Sequence, residues 1–77
     1  MTNEEMVQCV KVATKRRIWS HIRELMASNT ELNHTSGKLC EPLEEFPAVT
    51  DRLENAGVVV TGSNGNYKLD WSKLRTT

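Results

Sequence analysis

Val58-Val59-Val60-Thr61-Gly62-Ser63-Asn64-Gly65-Asn66-Tyr67-Lys68-Leu69-Asp70-Trp71 reads as two strands and the turn between them. Val58 to Thr61 is a β-branched run, and Tyr67 to Trp71 alternates apolar with polar residues. Asn64-Gly65 between them is a strong hairpin signal, because both residue types tolerate the positive φ of a two-residue turn. With that turn, Val60 stands opposite Leu69 and Val58 opposite Trp71, on one face. Thr61 opposite Lys68 and Val59 opposite Asp70 fall on the other. A one-residue slip would mix the faces, so turn chemistry and alternation agree on register.

Upstream, Pro47 opens a helix at the position where its missing N–H does no harm. Phe46, Val49, Leu53 and Ala56 form its buried stripe. Gly57 closes it in the left-handed conformation. A shorter helix is expected over Leu39 to Glu45, since Leu39 and Leu43 lie four apart, with Pro42 placed in its first turn. Asn33-His34-Thr35-Ser36-Gly37 reads as loop.

At the start of the chain, Thr2-Asn3-Glu4-Glu5 has capping-box spacing. Met6, Val10 and Ala13 share one helical face. Ile18, Ile22, Leu25 and Met26 share another, about a quarter turn away, with Trp19 at its edge. Either two helices meet near Thr14, or one long helix turns its first stripe away from the core. Thr14 as an N-cap would put Lys15, Arg16 and Arg17 in a first turn, against the helix dipole, which favours the continuous helix. Asn29 ends the run. The expected organisation is one domain over residues 1–77: an N-terminal helical segment 1–13, a core 14–71, and a short flexible tail 72–77.

Composition bounds the function. With 77 residues and 38% apolar content, the chain fills one small core with little room for a deep substrate cleft. Ten basic residues balance ten acidic ones, which excludes a uniformly basic wrapper of nucleic acid and requires any such binding to sort charge onto one face. No apolar run approaches a membrane span, and the polar start is unlike a signal peptide. Two cysteines do not make a disulfide scaffold, so a reduced, cytoplasmic protein is expected.

The segment Phe46 to Val59, with its Leu53-Glu54-Asn55-Ala56-Gly57-Val58-Val59 junction, resembles the third helix and following strand of winged helix-turn-helix domains. Arg17 to Leu25 looks like their first helix and Gly62 to Leu69 like their wing. The resemblance covers roughly residues 14 to 71. It implies an α+β, mostly α fold: three helices plus a C-terminal two-stranded β-hairpin, here with the extra N-terminal helical segment. It also implies DNA binding. Pro42 in helix two, and the very short turn before Pro47, depart from the family's pattern.

Carried over residue by residue, the resemblance makes Arg52 and Asn55 on the third helix and Asn66 and Lys68 on the wing DNA-binding candidates; the charge distribution itself, which departs from the family's usual docking mode, adds Lys15, Arg16, Arg17 and Arg23 on the first helix. Arg suits guanine and phosphate, and Asn suits adenine. Asp51 and Glu54 occupy the outer face of the third helix, where they repel phosphate. With Glu44 and Glu45 they define the alternative, a protein-binding module that engages or inhibits a basic, nucleic-acid-binding partner. Met6, Val10 and Ala13 are candidates for a homodimer contact.

Other chemistry reads as bland. Cys9, Cys40, His21 and His34 lack the paired spacing of a zinc site, so no metal and no cofactor are expected. Glu41, Glu44 and Glu45 lie on a surface segment without the cleft that acid–base catalysis needs, so neither an enzyme nor a small-molecule substrate is expected. Trp19, Tyr67 and Trp71 offer a stacking platform or, more simply, core and rim packing. The expectation is a small DNA-binding regulator of transcription or of mobile-element genes.

Overall fold

The fold is seen in a computed structural model that describes residues 1–74. The end of the expected tail, residues 75–77, lies outside the described residues. Helix α1 runs without interruption over Asn3–Glu31. Thr2 caps it, its hydroxyl accepting from the Glu5 N–H at 3.2 Å, as the capping-box spacing predicts. Thr14 is no cap: its hydroxyl donates to the Val10 carbonyl at 2.7 Å, as an interior helical residue does. The helix continues past Asn29 and ends in a Schellman motif. Asn33 takes φ 65°, and the N–H groups of Asn33 and His34 bond the carbonyls of Thr30 and Asn29.

The next segment departs from the sequence reading. Ser36–Leu39 is a strand, β1, where a loop and the start of a helix were expected. What remains of the expected second helix is a single 3-10 turn, Leu43–Glu45. Leu39 and Leu43 do share the core, but from a strand and a turn rather than from one helical face. Pro42, which has no N–H to give, ends any helical pairing between them. Helix α2 then covers Pro47–Asn55, with proline in its first turn. It closes in a second Schellman motif at Gly57, φ 98°, where Val58 N–H bonds the Leu53 carbonyl.

Strands β2 (Val59–Ser63) and β3 (Asn66–Asp70) form the expected hairpin. Val60 faces Leu69, Thr61 faces Lys68 and Val59 faces Asp70. Asn64 and Gly65 both have positive φ, 51° and 79°, as the two-residue turn demands. The hairpin is two-thirds of a sheet: β1 pairs antiparallel with the far side of β3, Gly37 against Leu69 and Lys38 against Lys68, giving the order β1-β3-β2. The architecture is therefore two helices and a three-stranded antiparallel sheet, which overturns the three-helix, two-stranded winged helix-turn-helix arrangement expected from the resemblance.

One face of the sheet meets the helices. Ile18 and Ile22 from α1, Leu39, Leu43, Val49 and Leu53, then Val58, Leu69 and Trp71 form the buried core. Nothing from Met1 to Arg17 is buried. This first half of α1 projects beyond the core by about 20 Å at 1.5 Å per residue, which accounts for a long axis of 46 Å against 28 and 21 Å.

Candidate functional site

Helix α1 presents Arg16, Trp19, Ser20 and Arg23 at spacings of three and four, so they line one side of the helix. Ile18 and Ile22 occupy the adjacent, core-facing side. Arg52 leaves α2 at the flank of its buried Val49–Leu53 stripe and meets this row. Its guanidinium lies over the Trp19 ring, 5.6 Å from the centroid. A guanidinium stacks on an indole face by its cationic and planar character together, which holds it in one orientation while its edges stay free to donate. The five side chains line a shallow open depression. Arg23 makes a long contact from Nη2 to Ser20 Oγ at 3.4 Å. No carboxylate lies within ion-pair distance of Arg16, Arg23 or Arg52 among the described residues.

Arg17 is differently employed. Its Nε and Nη2 donate to Oε2 of Glu41 at 3.3 and 3.0 Å, while His21 Nδ1 meets Oε1 of the same carboxylate at 3.1 Å. Among the described residues Glu41 is the one buried charged side chain, at 7% exposure. Arg17 is thus committed to clasping the segment after β1 onto α1.

The remaining predicted contacts are scattered. Lys15 and Asn55 are exposed on α1 and α2. Lys68 alternates with buried Leu69, so it projects from the sheet face turned away from the helices, opposite Lys38 on one side and Thr61 on the other. Asn66 sits at the hairpin turn, where its amide bonds the Asn64 carbonyl at 3.5 Å. Of the eight residues predicted for DNA, the fold brings Arg16, Arg23 and Arg52 together. It adds Trp19, which the apolar pattern had placed at the rim of the core.

The acidic candidates divide. Glu44 accepts from the Tyr67 hydroxyl at 2.6 Å. That bond holds the Glu44 carboxyl below its usual range and pushes the Tyr67 phenol above its own. Asp51 and Glu44 border one depression with Thr50 and Tyr67, on the side of α2 away from Arg52. Glu45 and Glu54 are exposed. Met6, Val10 and Ala13 are exposed on the projecting half of α1.

Cys9 and Cys40 are both exposed free thiols. Among the described residues no three His, Cys, Asp or Glu side chains are grouped to hold a metal ion, and no helix is long and apolar enough to cross a membrane. No protein-family model matches the chain, and neither a curated protein nor a solved structure is found to be similar to it.

Proposed function

We propose that this chain is a small, non-catalytic regulator that binds duplex DNA through phosphate contacts from Arg16, Arg23 and Arg52. The observation that carries the reading is the convergence of three arginines from two helices on one depression, with no carboxylate within ion-pair distance of them among the described residues. Like charges repel, so beyond the stacking of Arg52 on Trp19 folding gains nothing from gathering the three guanidinium groups. A polyanion supplies the missing partner, and the planar forks match phosphate oxygens. Overall neutrality is no obstacle, because the charge is sorted: arginines on the α1 side of α2, Asp51 and Glu44 on the other.

The test is fluorescence anisotropy of a labelled duplex titrated with the full chain at 50 and 200 mM salt. Three neutralised phosphates give a slope of about −2.7 in log K against log salt, or about 40-fold weaker binding across that range. Arg16→Glu with Arg23→Glu abolishes binding. Arg52→Ala weakens it and brings the slope to about −1.8. A folded sample that shows no duplex binding at low salt sinks this reading. The alternative is a basic protein partner docking on the depression bordered by Glu44 and Asp51. Asp51→Lys separates the two: it strengthens duplex binding if α2 approaches DNA, and it destroys a complex with a basic protein.

A further inference from the structure

Asn64 and Gly65 form the tip of the hairpin, and Asn64 alone among the asparagines of the chain precedes a glycine. The residue after an asparagine decides whether its side-chain amide can be attacked from the backbone, because the attacking atom is that residue's nitrogen and a Cβ beside it stands in the way. Gly65 has no Cβ, and the space where one would stand is empty to 4 Å. Its N–H bonds no backbone carbonyl among the described residues. Asn64 is itself exposed. Other asparagines are tied down. After Asn33, the His34 N–H bonds the Asn29 carbonyl at 2.8 Å; after Asn55, the Ala56 N–H bonds those of Arg52 and Leu53 at 3.2 and 3.1 Å. The Asn29 amide is held by the Ser36 carbonyl at 2.8 Å.

We propose that Asn64 is a site of spontaneous deamidation, gated by opening of the hairpin turn. The Gly65 nitrogen, its proton lost to solvent, attacks Cγ of Asn64. A C–N bond forms, the Cγ–Nδ2 bond breaks, and ammonia leaves with a proton from water, so that a five-membered succinimide remains. One water then opens the ring at either carbonyl. One opening gives aspartate; the other gives isoaspartate, whose backbone runs through Cβ. The sum is asparagine plus water to carboxylate plus ammonia, and no oxidant or reductant takes part.

The closed turn holds the reacting atoms apart. Asn64 has φ 51°, and a left-handed residue has ψ near about +47°. That ψ sets the Gly65 nitrogen on the far side of the Cα–C bond from Cβ, whereas ring closure needs the two nearly eclipsed. Attack therefore waits for a rotation that parts Ser63 from Asn66, the last pair of the hairpin. Glu44 is the latch against that rotation. Its carboxylate accepts from the Tyr67 hydroxyl at 2.6 Å. The carboxyl is held below its usual range chiefly by that hydroxyl, then by its own backbone N–H, and in smaller part by the N–H of Gly65. The nucleophile and the strand beside it thus share one acceptor.

The two products differ in consequence. Aspartate suits the same turn, since Asp-Gly is as good a two-residue hairpin as Asn-Gly. Isoaspartate adds a backbone atom to that loop, so Ser63–Asn66 and Gly62–Tyr67 lose their register and the hairpin tip does not re-form. The change is one-way. None of its residues lies in the arginine row, so the inference stands apart from the duplex reading.

The test ages the full chain at neutral pH and 37 °C, in buffer and in guanidinium chloride. Tryptic peptide 53–68, which carries Asn55, Asn64 and Asn66, is read by mass spectrometry with electron-transfer fragmentation, which separates the two products. A gain of about one mass unit is expected at Asn64 and not at Asn55 or Asn66. The unfolded chain should convert at least about tenfold faster, since only its turn is always open. Glu44→Gln and Tyr67→Phe, checked for folding by circular dichroism, should speed conversion in buffer about fivefold, the rise in open turn from losing one ordinary hydrogen bond, and leave the rate in guanidinium unchanged. Gly65→Ala should remove most of the conversion in guanidinium, where folding plays no part. The isolated isoaspartyl chain should melt below the parent and below Asn64→Asp. No conversion at Asn64 in buffer while the unfolded chain converts fully overturns the site. Equal rates folded and unfolded overturn the gate, and parent rates in both latch variants overturn the role of Glu44.

Discussion

Replacing Arg17 by methionine should destabilise the fold more than replacing Glu41 by glutamine, although the two substitutions break the same contact. Glu41 keeps its side chain only 8% exposed, whereas Arg17 and His21 are 53% and 47% exposed. Once Arg17 is gone, the carboxylate stays inside with one partner where it had two. Stranding a buried charge costs about 3–5 kcal/mol when no partner remains. His21 still meets Oε1, so about 2–3 kcal/mol is the expected loss. Once Glu41 becomes Gln, no charge is left inside, the amide oxygen still accepts from Arg17, and the half-exposed guanidinium is hydrated. About 1 kcal/mol is expected, the size of an ordinary hydrogen bond. In urea denaturation at neutral pH the two midpoints should therefore differ by 1–2 kcal/mol times the reciprocal of a shared slope, about 5–10 °C if read as melting temperatures. The double variant should fall nearer to Glu41→Gln than to Arg17→Met, since it too buries no charge. If Glu41→Gln costs as much as Arg17→Met, the clasp is held by shape rather than by charge. Arg17→Met should also leave any duplex affinity nearly unchanged, because its guanidinium is turned to Glu41.

Two glycines of the hairpin should respond differently to alanine. A Cβ on Gly62 meets the Asn66 carbonyl oxygen at 2.2 Å with φ at 115°, whereas a Cβ on Gly65 meets nothing within 4 Å. Gly62→Ala should cost about 2 kcal/mol or more, and Gly65→Ala about 1 kcal/mol, by urea titration. The Glu44–Tyr67 bond should make stability pH-dependent at both ends. The lowered carboxyl contributes stability that is present above its unfolded value, near 4, and is lost as pH falls through the folded value. The raised phenol contributes stability that is present below about 10 and is lost as pH rises through its folded value. Tyr67→Phe should flatten both limbs of a melting-temperature profile, and limbs unchanged from the parent chain would show that the bond does not form in solution.

What could be read from the sequence was what the chain settles locally. The hairpin register was legible because Asn64-Gly65 and the alternation of Val60 and Leu69 are near neighbours. Both the Thr2 cap and the Gly57 stop were legible for the same reason. Strand β1 was not. Ser36-Gly37-Lys38-Leu39 offers one apolar side chain, and it becomes a strand only by pairing with Tyr67 to Asp70, some thirty residues on. Gly37 lacks a side chain because Leu25 and Asn29 of α1 press on it: a Cβ there would lie 2.8 Å from Leu25 Cδ1 and 2.5 Å from Asn29 Nδ2. The four-residue spacing of Leu39 and Leu43 imitated a helix, since burial was the only signal visible and two different elements supply it. At the candidate site, the basic run on α1 was evident. Its meeting with Arg52, and the diversion of Arg17 to Glu41, depend on contacts 33 and 24 residues apart that no local pattern encodes.

The strand order leaves β1 and β2 as outer strands, each with a row of backbone N–H and C=O groups facing away from β3. Such rows invite pairing with strands of other molecules, and so filament growth. Each carries its own deterrent. β1 is only four residues long and places Lys38 on its open side of the sheet. β2 is bent at Gly62, whose φ of 115° lies outside strand geometry, so it presents no long flat template beyond Val59 to Thr61. Gly62 therefore has a second effect besides its cost in folding. A variant that straightened β2 without unfolding the domain would keep its melting temperature and yet precipitate, its solubility falling with concentration as added strands capture one another.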